Sequence, residues 1–190
     1  MLFRSPSTQA ADVSTASASV ASLTTEINTT ATWGNPSPEW GARTFPTAAA
    51  PDLTKYFEFS IDTTNYTKVV MTFDTARRTN GPDRFDLFFG TGATPSVGTQ
   101  KGGTPFTTLA SADTIVPVSA DFTGQTSTTG VTNFFVLAYN AGNSGADAFI
   151  YLDNVTFTGC GTAQPPTISK VFSPNPIAVN ATSKIGRAHV

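Results

Sequence analysis

Between residues 55 and 157 apolar side chains recur at every second position, and clusters of Gly, Pro, Asn and Asp interrupt the pattern. In Tyr56-Phe57-Glu58-Phe59-Ser60-Ile61, residues Phe57, Phe59 and Ile61 fall on one face while Glu58 and Ser60 fall on the other. Residues 68–75 repeat this with Val69, Met71 and Phe73, and residues 84–89 with Phe85, Leu87 and Phe89. A period of two fits a strand with one buried face and is incompatible with a helix of period 3.6. Further strands are expected at residues 23–27, 106–109, 114–118 and 148–157. Residues 131–139 are more continuously apolar, as expected of a strand covered on both faces. Short strands separated by turn signals, with no helical stretch, predict an all-β fold: an antiparallel β-sandwich of the jelly-roll type.

Composition matters at this point because a sandwich needs a core. The chain has 190 residues and 15 Phe, so aromatic volume is ample, yet charged residues reach only 13%. That is about half the ordinary share. A surface of Thr, Ser, Asn and Gly suits an extracellular module, while the net charge of −2 offers no basic face for nucleic acid. No apolar run is long enough to span a membrane, and residues 1–6 lack the basic and apolar regions of a signal peptide.

Composition also divides the chain. Residues 1–21 are rich in Ser, Thr and Ala without periodicity and read as a linker or disordered lead-in; residues 22–161 form the sandwich. Residues 33–51, with two Trp and several Pro and Gly, read as an irregular ordered segment. Residues 90–105 form a long Gly/Thr/Pro loop, a place to look for function. After Gly159-Cys160-Gly161, residues 162–184 read as a linker followed by the truncated start of a second β domain. Cys160 has no other cysteine in the chain with which to pair.

Two stretches carry resemblances. Asp52-Leu53-Thr54-Lys55-Tyr56-Phe57-Glu58-Phe59, the segment from Phe73-Asp74 to Gly81-Pro82, and Tyr151-Leu152-Asp153-Asn154-Val155-Thr156-Phe157 are together similar to a bacterial extracellular jelly roll of the galactose-binding and carbohydrate-binding type. Pro166-Thr167-Ile168-Ser169-Lys170-Val171-Phe172-Ser173-Pro174-Asn175-Pro176-Ile177 resembles the opening of an Ig-like repeat of bacterial surface proteins. The final Ile185-Gly186-Arg187-Ala188-His189-Val190 resembles a translated sequencing adapter, so residues 185–190 are expected to be a non-native tail. The resemblances imply a piece of a larger bacterial secreted or cell-surface protein, with neighbouring domains as partners.

His189 is the single histidine and lies in that tail. Nucleophile systems that need a histidine base, and zinc sites built from His and Cys, therefore lack components. Glu58, Asp74, Asp83 and Asp86 are available as carboxylates, but their spacing does not place any two as a glycosidase pair. No catalytic residue is assigned.

Binding candidates remain. Trp33 and Trp40, in a Pro-rich frame, could stack on sugar rings, or could plug one end of the sandwich. Asn140 and Asn143 could bind sugar hydroxyls, although turn chemistry alone explains them. Arg77 and Arg78 could take an anionic glycan, or form a solvated strand-end pair. Alternation places Tyr151, Asp153, Val155 and Phe157 on one face, an acid among apolar groups. The carbohydrate-binding resemblance implies that Asp153 helps hold a structural Ca2+, which takes six to eight oxygen ligands; the alternative is a backbone hydrogen bond. The function expected is a non-catalytic module that binds a glycan or cell-surface polysaccharide. The alternatives are a structural spacer or adhesin segment, and an enzyme fragment acting on glycosides.

Overall fold

The computed structural model describes residues 2–3, 16–21, 23–28, 39–102, 105–110, 112–126, 129–145 and 147–161. Trp33, the C-terminal segment 162–184 and the tail 185–190 lie outside them. The strands are β1 (Leu2–Phe3), β2 (Ala16–Ala21), β3 (Thr24–Asn28), β4 (Glu39–Arg43), β5 (Tyr56–Asp62) and β6 (Tyr66–Arg77), then β7 (Arg84–Gly90), β8 (Gln100–Lys101), β9 (Thr107–Thr108), β10 (Val116–Asp121), β11 (Val131–Tyr139) and β12 (Ile150–Gly161). One 3-10 turn, Val97–Thr99, is the sole helical element among the described residues.

Two antiparallel six-stranded sheets pack face to face. The front sheet runs β10-β6-β12-β4-β3, with β1 also against β12; the back sheet runs β2-β5-β11-β7-β8, with β9 also against β7. Alternation explains the arrangement. From the back, Phe57, Phe59 and Ile61 of β5 and Phe134, Val136 and Ala138 of β11 point inward. From the front, Val69, Met71 and Phe73 of β6 meet them, with Leu152, Val155 and Phe157 of β12. The abundant Phe builds an aromatic chain through the middle: Phe122 lies edge-on to Phe134 at 4.9 Å and Phe134 is tilted against Phe157 at 4.8 Å between centroids. Such pairs add about 0.5–1.5 kcal/mol each beyond the area they bury.

Four local expectations differ from the structure. Residues 16–21, read as lead-in, pair with β5 as an edge strand, as Leu2–Phe3 does with β12. Backbone ladder bonds at an open edge need no apolar pattern, so composition does not reveal them. Within the segment 33–51, Glu39–Arg43 is a strand between β12 and β3. Its alternation is hard to see because Gly41, between the inward Trp40 and Ala42, presents no side chain.

The third difference is in β12. The β6–β12 register shifts between Asp153 and Thr156, and Asn154 takes a left-handed φ of 51°. The bulge turns Val155 and Phe157 into the core with Leu152, whereas Tyr151 and Asp153 alternate outward. Asp153 therefore does not share a face with Val155 and Phe157.

The fourth concerns the loop at residues 90–105. Its residues Gly92 and Ala93 lie on the outer face of the back sheet, bonded to Asn133 and Tyr56, and Leu53 packs there on Tyr56, Phe88, Phe135 and Leu137. Gly92 carbonyl accepts from Asn133 Nδ2 at 2.8 Å. Asp86, fully buried beneath, accepts from Gln100 Nε2 at 2.9 Å, from the Phe106 backbone N–H at 2.9 Å and from the Tyr139 hydroxyl at 3.3 Å. Burial, followed by the negative charge of Asp86, pushes the Tyr139 phenol up to about 12. The loop is a cover, and β11 is buried on both faces.

Candidate functional site

The back sheet is closed over, but the outer face of the front sheet is open across β10, β6 and β12. Register builds it in rows. Ser119, Thr72 and Thr156 stand side by side on the three strands; Pro117, Asp74 and Asp153 form the next row. Ser119, Thr72, Thr156, Pro117 and Asp74 line an open groove of about 560 Å³ together with Asn154, and Asp153 lines the crevice that adjoins it at Asp74. That volume lies within the usual range for ligand sites, roughly 300–1,000 Å³. Beyond Asp74 and Asp153 this crevice of about 10 Å³, the size of one water, continues past Ala76 and Tyr151.

The Asp74–Asp153 pair is the electrostatic centre. Like charges directly opposite in an antiparallel pair repel one another. The bulge answers this: the backbone N–H of Asn154 donates to Asp153 Oδ1 at 2.8 Å, and its side-chain Nδ2 donates to Asp74 Oδ2 at 2.9 Å. A single left-handed Asn thus engages both carboxylates. Thr156 Oγ1 donates to the Asn154 carbonyl at 3.1 Å, tying the bulge to the hydroxyl row.

As a metal site the pair supplies two carboxylates. No group of three or more His, Cys, Asp or Glu is gathered among the described residues. An ion of calcium's type would have to complete its six to eight oxygens from carbonyls, amides, hydroxyls and water.

Of the described residues singled out from the sequence, Asp74 and Asp153 lie at the groove and the others fall elsewhere; Trp33 is outside the described residues. Trp40 is a correction: it is 5% exposed, with its indole edge-on to Phe57 at 5.0 Å and to Phe59 at 5.9 Å. Its place at an inward position of β4 leaves no ring face for a sugar. Asn140, at φ 61°, bonds Asp83 Oδ1 through Nδ2 at 2.8 Å and the Ala48 carbonyl through its N–H. Asn143 Oδ1 accepts the Gly145 N–H at 2.8 Å. Both shape the β11–β12 turn and are apart from the groove. Arg77 is equally structural, donating to the carbonyls of Leu109 and Thr79. Sequence reading missed Thr72, Ser119, Asn154 and Thr156. The available signal was the outward row Thr72 and Asp74 alternating with Met71 and Phe73.

No family model matches the sequence, and no curated protein does. Solved structures resemble the chain in architecture. The CBM35 of Paenibacillus barcinonensis is 15% identical over 74% of this chain and 91% of its own, with a TM-score of 0.43. A CBM4 structure is 9% identical over 76% and 87%, with a TM-score of 0.48. A Paenibacillus xanthan lyase is 16% identical over 95% of this chain but 17% of its own, with a TM-score of 0.49. These are likenesses of fold. Function has to come from the site.

Proposed function

We propose that this chain is a non-catalytic glycan-binding module of a larger bacterial secreted or cell-surface protein, and that the groove on the front sheet is its binding site. The carrying observation is an open groove of about 560 Å³ in which, beside Pro117 and the apolar Phe73 and Val118, stand the hydroxyl, amide and carboxylate side chains of Thr72, Asp74, Ser119, Asn154 and Thr156. Such groups exchange hydrogen bonds with sugar hydroxyls and are held on paired strands, which keeps them pre-organised. A calcium ion beside Asp153, with Asp74 as second carboxylate, belongs to the same reading.

The test is a glycan-array assay on the full chain, run with calcium and repeated with chelator. Binding to a defined sugar class is expected, lost in Thr72→Val and Ser119→Val without change in melting temperature. Binding untouched by both substitutions would move the site elsewhere. Calcium should raise the melting temperature of the parent protein and not that of Asp153→Ala; an equal rise in both removes Asp153 from the ion.

A second reading, a structural spacer or adhesin segment, draws on the burial of Trp40 and on the groove's lack of an exposed aromatic platform. Silence across a broad array from a folded protein would favour it.

A further inference from the structure

Past the crevice the outward face of the front sheet changes character. The Arg78 N–H bonds the Phe149 carbonyl, and the β4–β12 register runs through Ala42 and Ile150, so Arg43 and Arg78 flank Phe149 from its two sides. The Arg43 guanidinium carbon lies 5.6 Å from the Phe149 ring centroid; that of Arg78 lies 5.5 Å from the same centroid and 5.7 Å from Tyr151. The two rings stack at 5.6 Å with 22° between their planes, and both are buried.

A guanidinium laid on an aromatic face keeps its N–H fork at the edge and is held in one orientation. Beyond its backbone pairing with Thr24, Arg43 makes the ring contact through its side chain, and its Nε is buried with no acceptor among the described residues. Arg43 is half-buried, and an anion that reaches the exposed edge of its guanidinium would meet charged donors already held in place. The Phe149 row and the Asp153 row are four residues apart on β12, about 13 Å at a strand's rise. One face therefore carries a cationic end, where Arg43 and Arg78 lie on the buried Phe149 and Tyr151 rings, and farther along it carboxylate and hydroxyl rows.

We infer that the ligand of this face is an anionic saccharide, with a carboxylate or sulfate group on Arg43 and Arg78 and neutral rings over Asp74 and the Thr72–Ser119 row. With no cation between them, as in chelator, the carboxylates there accept sugar hydroxyls and repel a second acid, so acidic groups must be spaced along the glycan. The inference rests on the glycan-binding reading of the groove and adds the substrate class.

Titration calorimetry on the full chain tests it with three probes: hyaluronan oligosaccharides, which carry a carboxylate on alternate sugars; sparsely substituted dextran sulfate; and neutral dextran. Whichever charged probe matches should bind at least about tenfold tighter than dextran, and Arg43→Gln should remove that advantage while leaving dextran binding alone. Preference for hyaluronan identifies a carboxylate, and preference for dextran sulfate a sulfate. Equal affinity for charged and neutral probes, or an unaffected Arg43→Gln, overturns the inference and leaves the groove reading standing. Absence of binding to all three, together with a silent glycan array, overturns both. Should the variant not fold, the Nε–Hε NMR signal of Arg43 in the parent protein decides. It should shift on adding the preferred charged probe and not on adding dextran; a signal unmoved by both charged probes overturns the inference.

Discussion

The two outer faces of the sandwich begin from the same rule and end in opposite states. On the back sheet the outward positions are Tyr56, Phe88, Phe135 and Leu137, and a loop and Leu53 cover them. On the front sheet the corresponding positions are Thr72, Asp74, Ser119 and Thr156, and they line an open groove. Period-two alternation predicts one buried face per strand. What the comparison teaches is that the second face must be read strand by strand, and that a polar outward row is where a site can form.

The largest effect should separate the two faces directly. Phe135→Ala, on the covered face, is expected to cost about 3–5 kcal/mol by leaving a cavity under the loop. Thr156→Ala, on the open face, should stay within about 0.5 kcal/mol. Urea unfolding of both variants measures this, and similar losses would show that the front face is also covered.

Asp86→Ala comes next. It strips an acceptor from the Gln100 amide, the Phe106 N–H and the Tyr139 hydroxyl, all in or near a buried setting. The expected loss is on the order of 2–3 kcal/mol, since the buried Tyr139 hydroxyl loses its acceptor and the Phe106 N–H keeps only the Phe85 carbonyl at 3.0 Å. Hydrogen exchange at Phe106 should accelerate more than at Val118 on the open side. Uniform acceleration would mean that Asp86 supports the whole sandwich and not the cover.

A smaller change probes how the front face is set. Asn154→Val places a β-branched residue at φ 51° and should cost about 1–2 kcal/mol. Because it also removes the donor to Asp74, groove binding should fall further than Asn154→Gly lowers it through the lost side chain alone. An Asn154→Val variant as stable as the parent protein would argue against the bulge.

The smallest effect is acid sensitivity at three Asp-x-Thr turns outside both faces. Asp52, Asp62 and Asp121 are held below their ordinary value of 3.8, first by the hydroxyls of Thr54, Thr64 and Thr123 and then by the backbone N–H of the same residues. Their contribution is full above about pH 4, where the unfolded carboxylates are also charged. It is lost as pH falls from 3.8 through the lower folded values, because the unfolded state there binds more protons. Replacing the three Thr by Ala should flatten the melting temperature against pH in that acid window and leave it unchanged in shape near neutrality. An unaltered acid slope would assign the sensitivity to other carboxylates.

The fold was legible from a few residues. Phe57, Phe59 and Ile61, or Val69, Met71 and Phe73, identify strands because burying one side of a pleat demands that spacing, and this holds whatever the partner strands are. The apolar run at residues 131–139 similarly announced a strand with two covered faces. Trp40 was less legible: a Trp in a Pro-rich segment has the same local appearance in a core as on a platform, and its place opposite Phe57 decides the matter. The stretch of residues 90–105 looked like a functional loop by length, yet Asp86, Asn133 and Tyr56 hold its Gln100, Gly92 and Ala93 against the back sheet.

By itself, then, the sequence determined the fold class, the inward rows and the absence of a histidine from all but the tail. Those properties depend on local periodicity and on inventory. The groove, the Asp74–Asp153 pair joined by Asn154, and the Arg43–Phe149–Arg78 row were decided only by the tertiary structure. Their members are about 40 to 110 residues apart in sequence, and one bulge in β12 reverses which side chains face out. Register between distant strands is a property of the whole packed sandwich, and no single strand carries it.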